Sequence, residues 1–204
     1  MKTKLRIGFD MDGIVLDSVP TIVQLHHELT GEIPKIHHSQ SKSWNFQDII
    51  TANTQIVNSY FENERFFEIV PFISDNILSI KSLLEELLAE KKYDIHFVTK
   101  ATEENFRLKK QWVKERLPLF NTDNMERVEF NIEGKPNADF LIFVDDVSMN
   151  LNGKSKYNIL FRKNGLITEY NEFVPDNVIV VNSVCQLAST IFEILDFEKG
   201  VNGK

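Results

Sequence analysis

Two aspartates, Asp10 and Asp12, follow directly on the apolar run "LRIGF" (5–9), and Gly13 comes next. Carboxylates this close together repel each other, and each loses favourable hydration when it is buried. A bound cation would offset both penalties. The stretch therefore predicts a cation site at the end of a buried strand, although an acidic pair by itself is also common in turns.

Further side chains of the same chemical kind follow later apolar runs or lie in loops between them. They are Thr99, Lys100, Lys135, Asp145 and Asp146. The ends of parallel strands meet in one crevice, where open α/β sheets bind ligands. Carboxylates together with a phosphate form a site that suits Mg²⁺, and lysine serves phosphate as a point charge. The set therefore predicts magnesium-assisted phosphoryl chemistry.

Short apolar runs alternate with helical patterns along the chain. The runs lack polar alternation, as strands that are buried on both faces require. Strands are predicted at 4–9, 94–99, 140–145, 157–161 and 178–183, with a weaker sixth at 127–132. Helices are predicted at 75–93, 102–118 and 183–197. This alternation predicts an α/β fold, a Rossmann-like three-layer domain with a parallel sheet and right-handed crossovers.

The segment between the first two strands does not follow this alternation of strands and helices, because it carries only helical and polar patterns. An insertion at this point emerges above the carboxyl end of the first strand, where it would cover the ligand crevice as a lid. We therefore predict a catalytic domain of residues 1–17 and 73–204 and a helical cap of residues 18–72.

The aromatic residues of the predicted cap have two interpretations. Trp44 and Phe46, together with Tyr60, either stack on a nucleobase of the substrate or fill the small helical core of the cap. The charged run "KKQWVKER" (109–116) is interpreted as a solvated helix face.

Composition narrows the class of partner. The 204 residues carry a net charge of -7, whereas binding to a nucleic-acid duplex needs a basic face. A small phosphorylated substrate is still compatible, because a bound cation reverses the sign of one pocket. No signal-peptide pattern and no membrane-spanning apolar run are present in the sequence. We expect a cytoplasmic protein, monomeric or homodimeric, without a membrane partner.

Four motifs together resemble those of the haloacid dehalogenase superfamily: "DMDG" (10–13), a threonine after the second strand, a lysine in a loop, and "DD" (145–146). Within it, "GFDMDGIVLD", "FFEIVPF" and "GKPNADFLIFVDD" are most similar to the 5'(3')-deoxyribonucleotidase family. The resemblance covers the catalytic domain, whereas the cap matches only in position, size and its Phe-Phe…Pro exit. Ser18 stands where that family often has an aromatic residue against the base.

The resemblance implies roles for individual residues. Asp10 is implied to be the nucleophile that forms an aspartyl-phosphate. Asp12 is implied to protonate the leaving alkoxide and then to deprotonate the attacking water. Thr99 would hold the transferring phosphoryl group, and Lys135 would offset the charge on the nucleophile and the substrate.

The implied Mg²⁺ ligands are the Asp10 side chain, the backbone carbonyl of Asp12 and one acid of the Asp145/Asp146 pair. Asp146 is the preferred direct ligand, with Asp145 behind it. Lys100 is interpreted either as a phosphate contact or as a solvated surface charge.

The implied activity is magnesium-dependent hydrolysis of a phosphomonoester, above all of a 5'-nucleotide or deoxyribonucleotide. The acid at position 12 argues against the dehalogenase branch of the superfamily, which lacks it, and against the ion-pumping branch, which has threonine there. Three alternatives stay open: a phosphatase of sugar phosphates or other small metabolites, a phosphomutase, and a non-catalytic phosphate-binding module.

Overall fold

The fold is an α/β fold built on one parallel sheet. The computed structural model describes residues 4–43, 46–135, 139–151 and 155–202. Six strands of these residues form the sheet in the order β3-β2-β1-β4-β5-β6. The strands are Leu5–Phe9 (β1), Tyr93–Lys100 (β2), Met125–Val128 (β3), Ile142–Asp145 (β4), Tyr157–Phe161 (β5) and Val178–Val181 (β6). The predicted fold class is confirmed.

The α-helices of the described residues lie between these strands along the chain or follow the last of them. They are Ser18–Thr30 (α1), Thr54–Tyr60 (α2), Glu64–Ile69 (α3), Ile80–Ala89 (α4), Glu103–Arg116 (α5) and Val184–Asn202 (α6). None of these helices is long and apolar enough to cross a membrane.

The central strands are buried on both faces of the sheet. In β4, Ile142 and Val144 join one buried apolar cluster, while Phe143 between them joins a second. Successive residues of a strand point to opposite faces, and all three of these side chains are fully buried. Two-sided burial is the reason why the strand reads as a continuous apolar run.

Three predicted elements differ by several residues in their limits. The C-terminal helix predicted at 183–197 extends to Asn202. The helix predicted at 75–93 begins only at Ile80, because the Asp75 carboxylate accepts the N–H groups of Ile77 and Leu78, both at 2.8 Å, and forms a turn. The strand predicted at 127–132 lies at Met125–Val128 instead. Its register explains the shift: Val128 pairs with Lys100, the last residue of β2, so the neighbouring strand offers no further partner.

The three helices after β1 form a cap region, as predicted. Its entry and exit run side by side: the Asp17 N–H donates to the Pro71 carbonyl, and the Ile73 N–H donates to the Val15 carbonyl, both at 3.0 Å. Paired backbone at one point makes a narrow connection between cap and sheet. The division of the chain into 1–17 with 73–204 and 18–72 stays a prediction.

The interior of the cap contains a buried polar chain. His26 contacts the Tyr60 hydroxyl at 2.7 Å through Nδ1 and the Glu32 carboxylate at 3.0 Å through Nε2. Tyr60 is buried and its hydroxyl is used inside the cap. Of the two interpretations of this tyrosine, packing in the cap core is the one that the structure shows.

Trp112 of α5 ties the exit of the cap to the sheet domain. Its ring is fully buried and lies 4.5 Å from the ring of Phe72, measured between centroids. The indole N–H has no acceptor among the described residues. The contribution of Trp112 is therefore apolar packing.

We expect Trp112→Ala to lower the free energy of unfolding by about 3–5 kcal/mol, because it leaves a large cavity at this junction. Trp112→Phe keeps an aromatic ring and removes the unpaired N–H, so we expect a loss of less than about 1.5 kcal/mol. Urea unfolding followed by circular dichroism measures both. Equal unfolding midpoints for the two variants would contradict the packing role.

Candidate active site

A cavity of about 1070 Å³ lies between the carboxyl ends of the strands and the cap. The residues that line it include most of those selected from the sequence: Asp10, Asp12, Phe46, Thr99, Lys100, Lys135 and Asp146. Asp145 does not line the cavity and is fully buried beside it. Trp44 lies outside the described residues. The structure thus brings the predicted residues of five separate chain segments to one place.

Three carboxylates form a cluster at and directly beside the floor of this cavity. Asp10 follows β1, and Asp145 and Asp146 lie at the end of β4, the strand next to β1. One oxygen from each of the three lies within 4.8 Å of the others. Gly13 turns the chain over this cluster with φ +80°, and a Cβ there would lie 2.2 Å from Asp146 Oδ2. Only glycine fits this turn without displacing the Asp146 carboxylate.

Lys135 bridges two of these acids. Its Nζ lies 2.6 Å from Asp10 Oδ1 and 2.9 Å from Asp145 Oδ2. Burial by itself lowers the pKa of Lys135, but the charges of Asp10 and Asp145 outweigh it and raise the pKa above its ordinary value. Lys135 is therefore a fixed positive charge at the cavity floor.

The two neighbouring aspartates have different surroundings. The Asn150 amide donates to both oxygens of Asp145 at 3.1 Å, and the Val147 N–H donates to Oδ1 at 2.9 Å. Asp146 is partly exposed, and its carboxylate accepts no hydrogen bond from the described residues. Asp145 is thus occupied by protein donors, whereas Asp146 presents its oxygens to the cavity.

The acids at the floor resist ionisation. Loss of solvent raises the pKa of Asp10 to about 7; Lys135 opposes this shift, and the charges of Asp145 and Asp12 add to it. Burial and then the charges of Asp145 and Asp10 raise the pKa of Asp146 well above its usual value. Without a bound cation, part of this cluster therefore holds protons near neutral pH.

Asp12 is positioned by two residues that sequence reasoning missed. Lys109 of α5 forms an ion pair with the Asp12 carboxylate and donates to Thr99 Oγ1 at 2.7 Å. Ser18, the first residue of α1, donates to Asp12 Oδ1 at 3.0 Å. One buried lysine thus orients both Asp12 and the Thr99 hydroxyl at the edge of the cavity.

The interpretation of residues 109–116 as a solvated face is wrong for Lys109 and Val113, which are buried beside Trp112. Residues three and four apart share one face of a helix, and these three lie in one stripe with Leu108. A lysine inside an otherwise apolar stripe is the signal that could have found Lys109.

The donor set fits a divalent cation. Asp10, Asp12, Asp145 and Asp146 face the buried amines of Lys109 and Lys135, so ionised groups leave two formal negative charges at the floor. Oxygen ligands at this spacing suit a hard cation such as Mg²⁺. Asp10 and Asp146 would supply its side-chain ligands, because the oxygens of Asp145 already accept protein hydrogen bonds.

The fold is that of known hydrolases. No protein-family model and no curated protein matches the chain. Among solved structures, a haloacid dehalogenase-like hydrolase from Streptococcus pneumoniae is 18% identical, with a TM-score of 0.52 over 93% of this chain and 100% of that one.

Two further solved structures of hydrolases have a similar fold. A haloacid dehalogenase (HAD) family hydrolase from Deinococcus radiodurans, solved with bound phosphate and sodium, has a TM-score of 0.57 at 11% identity, covering 95% of this chain and 97% of its own. A hydrolase from Pseudomonas syringae has a TM-score of 0.54 at 14% identity, covering 94% and 99%. The chain therefore has the fold of haloacid dehalogenase-like hydrolases, with a cap region after the first strand.

Proposed function

We propose that the protein is a magnesium-dependent phosphomonoesterase that works through an aspartyl-phosphate on Asp10. One observation carries this proposal: four side chains with complementary roles line the same cavity. Asp10 lies close to Asp146 and to the Lys135 ammonium, and Asp12 lines the cavity with them. Phosphate bound to the Deinococcus radiodurans hydrolase, which shares the fold, supports a phosphorylated ligand for this site.

The nucleophile is held so that one oxygen stays available. Asp10 Oδ1 accepts the Met11 N–H and the Lys135 ammonium, both at 2.6 Å, and Oδ2 accepts no hydrogen bond from the described residues. Oδ2 attacks phosphorus, and the bond between phosphorus and the ester oxygen breaks. Lys135 offsets the negative charge that gathers on the phosphoryl oxygens. When bound, Mg²⁺ supplies further compensation of that charge.

Asp12 moves the protons. In the first half-reaction its carboxylic acid gives a proton to the leaving alkoxide, and in the second its carboxylate takes one from the attacking water. Water adds to phosphorus, inorganic phosphate leaves, and the Asp10 carboxylate is restored. Lys109 and Ser18 hold Asp12 in place for both transfers.

Thr99 binds the phosphoryl group through its hydroxyl proton. Its oxygen accepts from Lys109 at 2.7 Å, and its contact with the Lys100 carbonyl is 3.5 Å, which is too long for a strong hydrogen bond. The hydroxyl proton can therefore turn to a phosphate oxygen. Lys100 lines the same cavity and is proposed as a second phosphate contact.

We propose a 5'-nucleotide or deoxyribonucleotide as the substrate class, supported by the resemblance of "GKPNADFLIFVDD" to the deoxyribonucleotidase family. Phe46 and Trp44 of the cap are proposed to contact the base. The described side chain of Phe46 lines the cavity and is mostly buried. Sugar phosphates are the competing class, and comparison of nucleotides with sugar phosphates in one assay distinguishes the two.

We expect Asp10→Asn and Asp12→Asn each to reduce phosphate release at least about 1000-fold. An amide oxygen is a poor nucleophile, and an amide neither gives nor accepts the required proton. The assay measures inorganic phosphate from nucleotides and sugar phosphates, with Mg²⁺ and with a chelator. Asp139→Asn, at a side chain that is 82% exposed, is the matched control and should keep full activity. Undiminished turnover in Asp10→Asn would refute the covalent mechanism.

Metal binding is expected to release protons. The pKa of Asp10 is raised to about 7 and that of Asp146 is also raised; since the cation binds the ionised form, the affinity for Mg²⁺ should rise with pH between about 6 and 8. Calorimetry in buffers of different ionisation enthalpy counts the released protons. Asp10→Asn should release fewer protons, and an affinity independent of pH would contradict the titration of these acids.

Lys109 is expected to act as a positioning residue. Lys109→Met keeps the buried volume but frees the Asp12 carboxylate, so we expect kcat to fall about 10- to 100-fold with KM changed little. Lys114→Met, at an exposed position of the same helix, is the control. A Lys109→Met variant with an unchanged kcat would show that the lysine only fills space.

A further inference from the structure

The cavity changes character between its floor and its mouth. At the floor, Asp10 and Lys135 are only 6% and 9% exposed. Four apolar side chains line the same cavity yet are 49–61% exposed, which places them at its opening. These four, the apolar rim, are Phe130, Ile132, Met149 and Ile167.

The apolar rim comes from three loops that follow adjacent or nearby strands of the sheet. Phe130 and Ile132 lie in the loop after β3, the same loop that carries Lys135. Met149 follows Asp146 by three residues, and Ile167 lies in the loop after β5. The loops at the carboxyl ends of strands are where open α/β sheets take their ligands.

A packing role does not account for the rim. A side chain that fills a core is buried, whereas these four keep about half or more of their surface exposed. Exposed apolar residues that are scattered singly need no explanation, but a group that lines one cavity marks a ligand-binding surface. The cavity of about 1070 Å³ also extends well beyond what a phosphate group fills.

We propose that the apolar rim binds an aromatic ring system carried by the leaving alcohol of the substrate. This inference rests on the proposed phosphatase function, since the phosphoryl group must lie against Asp10 for the alcohol to point toward the mouth. The Phe130 ring offers a face for stacking, and the Met149 thioether makes favourable contacts with aromatic rings. The rim, which lies on loops of the sheet, thus adds to the contacts with the base that are proposed for Trp44 and Phe46 of the cap.

Two substrate pairs test this. A nucleoside 5'-monophosphate is compared with ribose 5-phosphate, which lacks the base. Benzyl phosphate is compared with glycerol 3-phosphate, which lacks the ring but also expels an alkanol. We expect kcat/KM to be at least about tenfold higher for the aromatic member of the first pair. The second pair shows whether any ring suffices or whether a base and sugar are needed.

Phe130→Ala is the diagnostic variant. We expect it to lower kcat/KM for the nucleotide about tenfold, as the loss of one stacking contact does, and to leave ribose 5-phosphate unchanged. Phe197→Ala is the matched control: Phe197 is also 61% exposed but lies on α6 and does not line the cavity. The inference is overturned if Phe130→Ala keeps the preference for the nucleotide, or if both substrates lose activity equally.

A binding readout separates this inference from the proposed function. In Asp10→Asn protein with labelled methionine methyl groups, the Met149 resonance should shift on addition of the nucleotide and stay in place with ribose 5-phosphate. If no substrate is hydrolysed but this shift occurs, the phosphatase proposal fails and the aromatic site stands. A Met149 resonance that moves only with protein concentration would show a contact between two copies of the chain and would overturn the site.

Discussion

The excess of carboxylates over amines at the floor of the cavity determines the charge that a ligand of this site must have. Four aspartates converge there and two buried lysines oppose them. Burial, and then the charges of the neighbouring carboxylates, raise the pKa values of Asp10 and Asp146. A divalent cation would balance the remaining charge and make Asp10 a nucleophile. The two lysines pair with different acids: Lys135 with Asp10 and Asp145, and Lys109 with Asp12.

The sheet topology explains why this charge is concentrated at one place. β1 lies at the centre of the sheet between β2 and β4, so Asp10, Thr99 and Asp145 leave three neighbouring strands at the same edge. The order of strands reverses direction at β1, and ligand crevices in open α/β sheets form at such points. Hydrogen bonds from Asn150 and Val147 then hold Asp145 beside the floor. Backbone order and a few buried polar contacts together position the acids.

The sequence was sufficient for the parts of the structure that depend on local pattern. Continuous apolar runs indicated the buried strands, and the acids that follow them indicated the cluster of Asp10, Asp145 and Asp146. The limits of the helix at 75–93 were wrong, because the Asp75 side chain forms a turn that competes with the helix. Hydrophobic periodicity does not describe such side-chain competition.

Lys109 was missed for a different reason. A run of charged residues in a sequence predicts a solvent-exposed helix face. Lys109 is buried instead because it pairs with Asp12, a residue almost a hundred positions away in the sequence. Ser18 is similar, because its role becomes visible only when α1 returns beside the turn after β1. Contacts between distant segments decide these roles. The same holds for the apolar rim, whose members look unrelated in the sequence until three loops line one cavity.

The charge distribution also limits where binding energy for a substrate can come from. The chain has a net charge of -7, and both lysines at the floor already pair with aspartates, so long-range attraction for a phosphate dianion is weak. A cation at the floor would hold the phosphoryl group, but it would hold every phosphomonoester alike. Discrimination among substrates must therefore come from the uncharged end of the ligand. The surfaces available for this are the cap side of the cavity and the apolar rim. Three of the four rim residues, Phe130, Ile132 and Met149, lie in the loops that carry Lys135 and Asp146. Selection of the leaving group and placement of the phosphate are thus coupled through the loops after β3 and β4.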